Sequence, residues 1–149
     1  MTAQITTNQE VLNPSSRPIA RLLPKVARVL MGLSFLGAGL FGLAIVTRLI
    51  PTPHPLTPQP EAAASFFGAV LETGYLLPFI KVTEATVGIL LLINRFVPLA
   101  LAIMAPVILN ILAYHIFLSP SPVGFIFITL EIYLAWTYRD VFRPMLRMR

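Results

Sequence analysis

Five of the polar side chains in the long apolar stretches of this sequence could form a site, and their types limit the chemistry they could perform. Lys81 and Glu84 are three residues apart, so they share one face of a helix and can form an ion pair. The other three are Asn110, His115 and Glu131. Charges inside a membrane-spanning segment are costly and usually face a protein interior or a wet cavity. The five side chains therefore predict a polar pocket that binds a small ligand.

The pocket is expected to open toward the outside of the membrane. Glu84 and Glu131 each lie eight residues after the start of their apolar segments, and Asn110 lies eight residues before the end of its own. A helical rise of about 1.5 Å per residue places all three at one depth, about 12 Å below the same face. Lys81 and His115 lie nearer to that face.

The same residues have a structural alternative, because buried polar side chains in membrane bundles also form hydrogen bonds that hold helices together. For Lys81, Glu84 and Glu131 both interpretations stay open. For Asn110 a bond between helices is favoured, and for His115 a solvated or satisfied side chain is favoured over a ligand.

Composition excludes several kinds of site. The chain has no cysteine, so it cannot itself supply disulfide chemistry, cysteine-ligated zinc or a thiolate-held iron–sulfur cluster. His54, in a proline-rich loop, and His115 show no metal-ligand spacing. No catalytic residue and no metal site are predicted.

Hydropathy indicates a membrane protein. Of 149 residues, 56% are hydrophobic and 11% charged, against about 25% charged in soluble domains. We expect an all-α, polytopic membrane protein with a four-transmembrane-helix bundle and a short interfacial helix, near residues 61–71, between the first two spans. The membrane domain covers residues 25–141, and its spans are predicted at about residues 26–50, 76–93, 96–118 and 123–139.

The ends and the orientation follow from the basic residues. Residues 1–24 are predicted to be a largely disordered cytoplasmic tail, and residues 142–149 a basic cytoplasmic tail. Basic residues flank the apolar runs and form no single basic face, so nucleic acid is not an expected partner. The positive-inside rule places both termini in the cytoplasm. The cytoplasmic side would hold Arg17, Arg21, Lys25, Arg28, Arg95, Arg139, Arg143, Arg147 and Arg149, and the other side Arg48 and Lys81.

Small residues in the first span form a formal G-x-G-x-x-G pattern at Gly37, Gly39 and Gly42. No strand precedes it, so a dinucleotide site is rejected. We expect Ser34, Ala38 and Gly42, four residues apart, to make a stripe for close helix packing.

Three segments of the chain are recognisable: Thr73-Gly-Tyr-Leu-Leu-Pro-Phe-Ile-Lys-Val-Thr-Glu84, Ala105-Pro-Val-Ile-Leu-Asn110 and Tyr133-Leu-Ala-Trp-Thr-Tyr-Arg-Asp140. Through these segments the chain resembles the DoxX family of small four-helix bacterial membrane proteins. The resemblance covers about residues 30 to 144. The family often carries a polar residue late in the first span, where this chain has Ala44.

The resemblance implies a multi-pass protein of the inner membrane, and specifically a small membrane subunit of a redox-linked, quinone-associated complex. The expected partners are the lipid bilayer and either a membrane or periplasmic redox protein or further copies of the chain. Quinone is the candidate cofactor, and Lys81 or His115 would donate to its headgroup. The alternatives are a non-catalytic assembly or anchoring protein and a conduit for small solutes or protons.

Overall fold

The chain folds into helices throughout the residues that the structure, a computed structural model, describes, which are 16–51 and 59–142. No strand occurs in these ranges, which confirms the expected all-α class. His54 and residues 1–15 and 143–149 lie outside them. The helices are α1 (Ser16–Val46), α2 (Glu61–Glu72), α3 (Leu76–Leu92), α4 (Val97–Phe117), α5 (Val123–Thr137) and the one-turn α6 (Arg139–Phe142).

Two helices are long and apolar enough to cross a membrane, namely the part of α1 from Leu22 to Val46 and the whole of α4. Helices α2 and α3 are long and apolar enough to cross a membrane only if the two are counted as one span. The angle between them at the break is 92°. Helix α5, with 15 residues, is apolar but shorter. The described residues therefore hold two to three candidate spans, which is consistent with a membrane location.

Helix α1 differs from its predicted boundaries at both ends. It begins at Ser16, so the expectation of a disordered tail is corrected for residues 16–24. Proline usually interrupts a helix, but Pro24 lies inside this one. The helix ends at Val46, before residue 50, and Arg48 then takes a left-handed φ of 59°.

The closest helix pair is α1 with α3, which run antiparallel. A Cβ on Gly39 would lie 2.5 Å from the backbone nitrogen of Ala85, and one on Gly88 would lie 2.5 Å from that of Leu36. Only glycine permits such backbone contact. The predicted stripe is therefore wrong for Ser34 and Ala38, which are exposed.

The apolar core lies between α1, α3, α4 and α5. Phe35 of α1 packs against Phe127 of α5 with ring centroids 5.0 Å apart. Among the described residues, the fully buried side chains of this core with the largest volumes are Met31, Leu91, Leu101, Met104, Ile108, Leu134 and Val87.

Helix α2 is held against the C-terminal end of α4. The Phe66 ring lies 5.9 Å from that of Tyr114, whose hydroxyl donates to Gln59 Oε1 at 3.4 Å.

After α2 the chain turns at Gly74, where φ is 72°. The start of α3 at Leu76, the end of α4 at Phe117 and the start of α5 at Val123 lie at or within one residue of their predicted places.

Candidate functional site

The centre of the candidate site is an ion pair within α3. Lys81 Nζ donates to Glu84 Oε2 at 2.8 Å, as the three-residue spacing predicted. Glu84 is 4% exposed, whereas the Lys81 side chain is 19% exposed. The carboxylate is thus enclosed, and the ammonium group is the accessible partner of the pair.

Helix α1 forms the wall behind this pair. A Cβ on Gly42 would lie 2.4 Å from Lys81 Cδ, so the lysine stem lies directly on the glycine backbone. The absence of a side chain at Gly42 and Gly39 makes the room for the stem and for the backbone of Lys81. Glycines that resemble a phosphate-binding motif in the sequence therefore serve to seat a lysine between two helices.

The ammonium group keeps hydrogen-bonding capacity. A lysine has three N–H donors, and in the described chain one of them bonds to Glu84. The other two can donate to a carbonyl, phenolate or carboxylate oxygen of a ligand. Donors fixed in a poorly hydrated site stabilise negative charge more strongly than they would in water.

Glu131 is the second buried carboxyl group. It lies on α5, is 6% exposed, and its Oε2 has no hydrogen-bond partner among the described residues. Its helix packs mainly on α4 and also contacts α1. A buried polar atom without a partner is unfavourable by about 1–3 kcal/mol. The atom therefore has hydrogen-bonding capacity that the folded chain does not use.

His115 lies half-buried in the last turn of α4. Its Nδ1 is 3.2 Å from the carbonyl oxygen of Ser119, and its ring meets Tyr114 edge-on at 5.3 Å. A Cβ on Gly124 would lie 3.2 Å from His115 Cβ, so the base of the histidine side chain packs on the first turn of α5. The contact with Ser119 satisfies one ring nitrogen, which agrees with the structural interpretation of this residue.

Asn110 does not join the buried groups. It is exposed on α4, because it lies about 200° around the helix from Ile108, a member of the core. Equal depth along the helices did not settle which face each residue would occupy. Of the three residues that sequence counting predicted at one depth, Glu84 and Glu131 are buried and Asn110 is exposed.

Sequence analysis missed the structural role of Arg28. This residue was taken only as a marker of orientation, yet Arg28 Nη1 donates to the carbonyl oxygens of Leu91 and Leu92 at the end of α3. A cation there satisfies unpaired carbonyl groups and complements the helix dipole. Since the contact joins residues distant in sequence, no local pattern could have indicated it.

Comparison with known proteins does not assign the chain to a family: no family model, no characterised protein and no solved structure matches it. No group of three or more His, Cys, Asp or Glu side chains that could hold a metal ion occurs in residues 16–51 and 59–142.

Proposed function

We propose that the protein is a DoxX-like, four-span protein of the inner membrane, with both termini in the cytoplasm. In this proposal it is a small membrane subunit of a redox-linked complex. A site around Lys81 and Glu84 binds a quinone headgroup or a similar small polar molecule from the outer side. The protein has no catalytic group of its own in this proposal, and electrons come from a partner subunit.

One observation favours this proposal over the alternative of an assembly or anchoring protein. Polar groups that fasten helices form hydrogen bonds from one helix to another. Lys81 and Glu84 instead bond to each other within α3, and Glu131 Oε2 bonds to nothing in the described chain. The Lys81–Glu84 pair and Glu131 Oε2 thus form no hydrogen bond between helices in the described chain, which supports a role in binding.

The chemistry of the site favours an oxygen acceptor. Lys81 offers two unused N–H donors and a positive charge, and Glu84 at 2.8 Å fixes its position. A quinone carbonyl gains electron density when it is reduced, so a fixed ammonium group would bind the reduced form more strongly. Wild-type protein is therefore expected to bind quinone and to stabilise its reduced form.

Native mass spectrometry after purification in mild detergent tests the proposal. Wild type is compared with Glu84→Gln and Lys81→Met, and with Glu72→Gln and Lys25→Met as controls, because Glu72 at the end of α2 and Lys25 within α1 are both exposed. We expect a small molecule with the mass of a quinone to remain on wild type and on both controls. It should be lost from both site variants while their helical circular dichroism is kept.

The opposite result would be equally informative. Protein free of any small molecule, combined with no binding of added ubiquinone or menaquinone, would contradict the proposal. If Lys81→Met and Glu84→Gln then also lowered thermal stability by several degrees, the pair would have a structural role. The assembly or anchoring function would be the better conclusion.

A further inference from the structure

Helix α4 exposes a polar side chain deep in the region that would cross the membrane. Asn110 is exposed and lies three residues from the helix midpoint at Val107, about 4.5 Å along the axis. This helix passes the length and hydropathy test for a span without help from a neighbour. An amide that faces lipid at this depth has no water to bond with, so it is costly unless another protein group covers it.

The amide is not satisfied by its own chain. Exposed hydroxyl groups on other helices donate to the carbonyl oxygen four residues earlier, Ser34 to Leu30 at 2.9 Å and Thr129 to Phe125 at 2.7 Å. Asn110 makes no side-chain hydrogen bond to any residue in the described ranges. An asparagine amide has two donors and an acceptor, and all of them point away from the core.

The residues around Asn110 form a continuous seam on the exposed side of α4. Its members are separated alternately by four and three residues, which is the spacing of side chains that face a neighbouring helix in a coiled coil. Pro106 has no N–H, so the carbonyl group of Ala102 beside the seam loses its usual partner. The seam, exposed along its whole length, consists of Leu99, Ile103, Pro106, Asn110, Ala113 and Phe117.

We propose that this seam is a homodimer interface in which α4 pairs in parallel with α4 of a second copy. Both copies have one orientation in the membrane, so a two-fold axis along the membrane normal brings equal depths together. The Asn110 amide then meets the same amide of the second copy, and donor and acceptor match in both directions. A single asparagine on a heptad seam favours a parallel pair of two helices. The small Ala113 side chain allows close approach.

Cysteine cross-linking in liposomes tests the interface, because the chain contains no cysteine of its own. Ala113→Cys places a thiol on the seam, and Ile126→Cys places one on the exposed face of α5. The purified variants are reconstituted at several protein-to-lipid ratios, oxidised and separated without reductant. We expect a disulfide-linked dimer from Ala113→Cys and none above background from Ile126→Cys.

A second pair of variants tests the role of the amide. Asn110→Leu in the Ala113→Cys protein is expected to lower the association constant about fivefold to thirtyfold, the range for one polar contact between membrane helices. Thr129→Val, which removes a polar group already bonded within its own helix, should leave the constant unchanged. Any of three results would overturn the proposal. These are the recovery of monomer alone, equal cross-linking through residues 113 and 126, and an association constant of the dimer that Asn110→Leu does not change.

Discussion

Glu84 and Glu131 show how one residue type acquires two environments. Glu84 accepts a hydrogen bond from Lys81 at 2.8 Å, whereas Glu131 Oε2 is buried without a partner in the described chain. The sequence predicted that both would lie inside the bundle, because a charge in a membrane-spanning segment usually faces a protein interior or a wet cavity. It could predict the partner of Glu84 from local spacing. It could not predict the isolation of Glu131, which depends on the packing of other helices.

We predict that Glu131→Leu raises the free energy of unfolding by about 1–3 kcal/mol, because it replaces an unpaired polar group with an apolar one of similar size. Glu131→Gln keeps a polar group there and should change stability much less. Thermal unfolding followed by circular dichroism in one detergent checks both variants. A destabilising Glu131→Leu would mean that the carboxyl group has a partner in the working protein.

A stabilising substitution at Glu131 would carry a functional conclusion. Residues that lower stability are retained where binding or chemistry needs them. The same variants would then be expected to lose the ligand detected by native mass spectrometry. Retention of the ligand at wild-type level would mean that Glu131 does not belong to the site around Lys81 and Glu84.

At the scale of elements, the pairing of α1 with α3 is what positions the candidate site. The two backbones touch at Gly39 and Gly88, and Gly42 receives the Lys81 stem. Sequence analysis identified a small-residue surface on α1 and gave it the right purpose, but it placed Ser34 and Ala38 on the contact face. The predicted stripe and the observed contact lie on different faces of α1. The face that α1 turns toward α3 is set by the burial of Met31 and Phe35 in the core.

Two alanine substitutions in α1 separate helix propensity from packing. In Gly39→Ala the new methyl group meets the α3 backbone at 2.5 Å, and we expect a destabilisation of about 1–3 kcal/mol from the displaced helices. At Gly37 a Cβ meets nothing within 4 Å, so Gly37→Ala should be neutral or stabilising by up to about 1 kcal/mol. Chemical or thermal unfolding of both variants measures the difference. Equal effects would contradict the backbone contact.

At the scale of the whole molecule, the number of spans is the feature that helix length leaves open. Predicted starts and ends of α3, α4 and α5 agree with the structure to within one or two residues, because proline and short polar turns mark them. Whether α5 crosses the membrane depends on its surroundings, since 15 residues fall short of the usual length. Four crossings place the residues after α5 on the side of Arg95, and three place them on the side of Glu72.

Single cysteines in the cysteine-free chain decide between these topologies. The three positions tested are all exposed: Glu72, Arg95 and Arg139. Each is replaced in turn by cysteine, and intact cells are treated with a thiol reagent that does not cross the inner membrane. We expect labelling at residue 72 and protection at residues 95 and 139 until the cells are opened. Labelling of residue 139 in intact cells would contradict the four-span proposal.

The shortness of α5 also has a consequence for the lipid around the protein. Its 15 residues extend about 22 Å, less than the roughly 30 Å hydrocarbon layer of a typical bilayer. In the proposed topology, the bilayer must become thinner beside this helix, or side chains at its end must reach outward to the headgroups. Two such side chains are Trp136 and Arg139, whose guanidinium carbon lies 5.1 Å from the centre of the tryptophan ring. One flank of the molecule would then prefer short acyl chains. The protein should gather such lipids around it and should be most stable in thin bilayers.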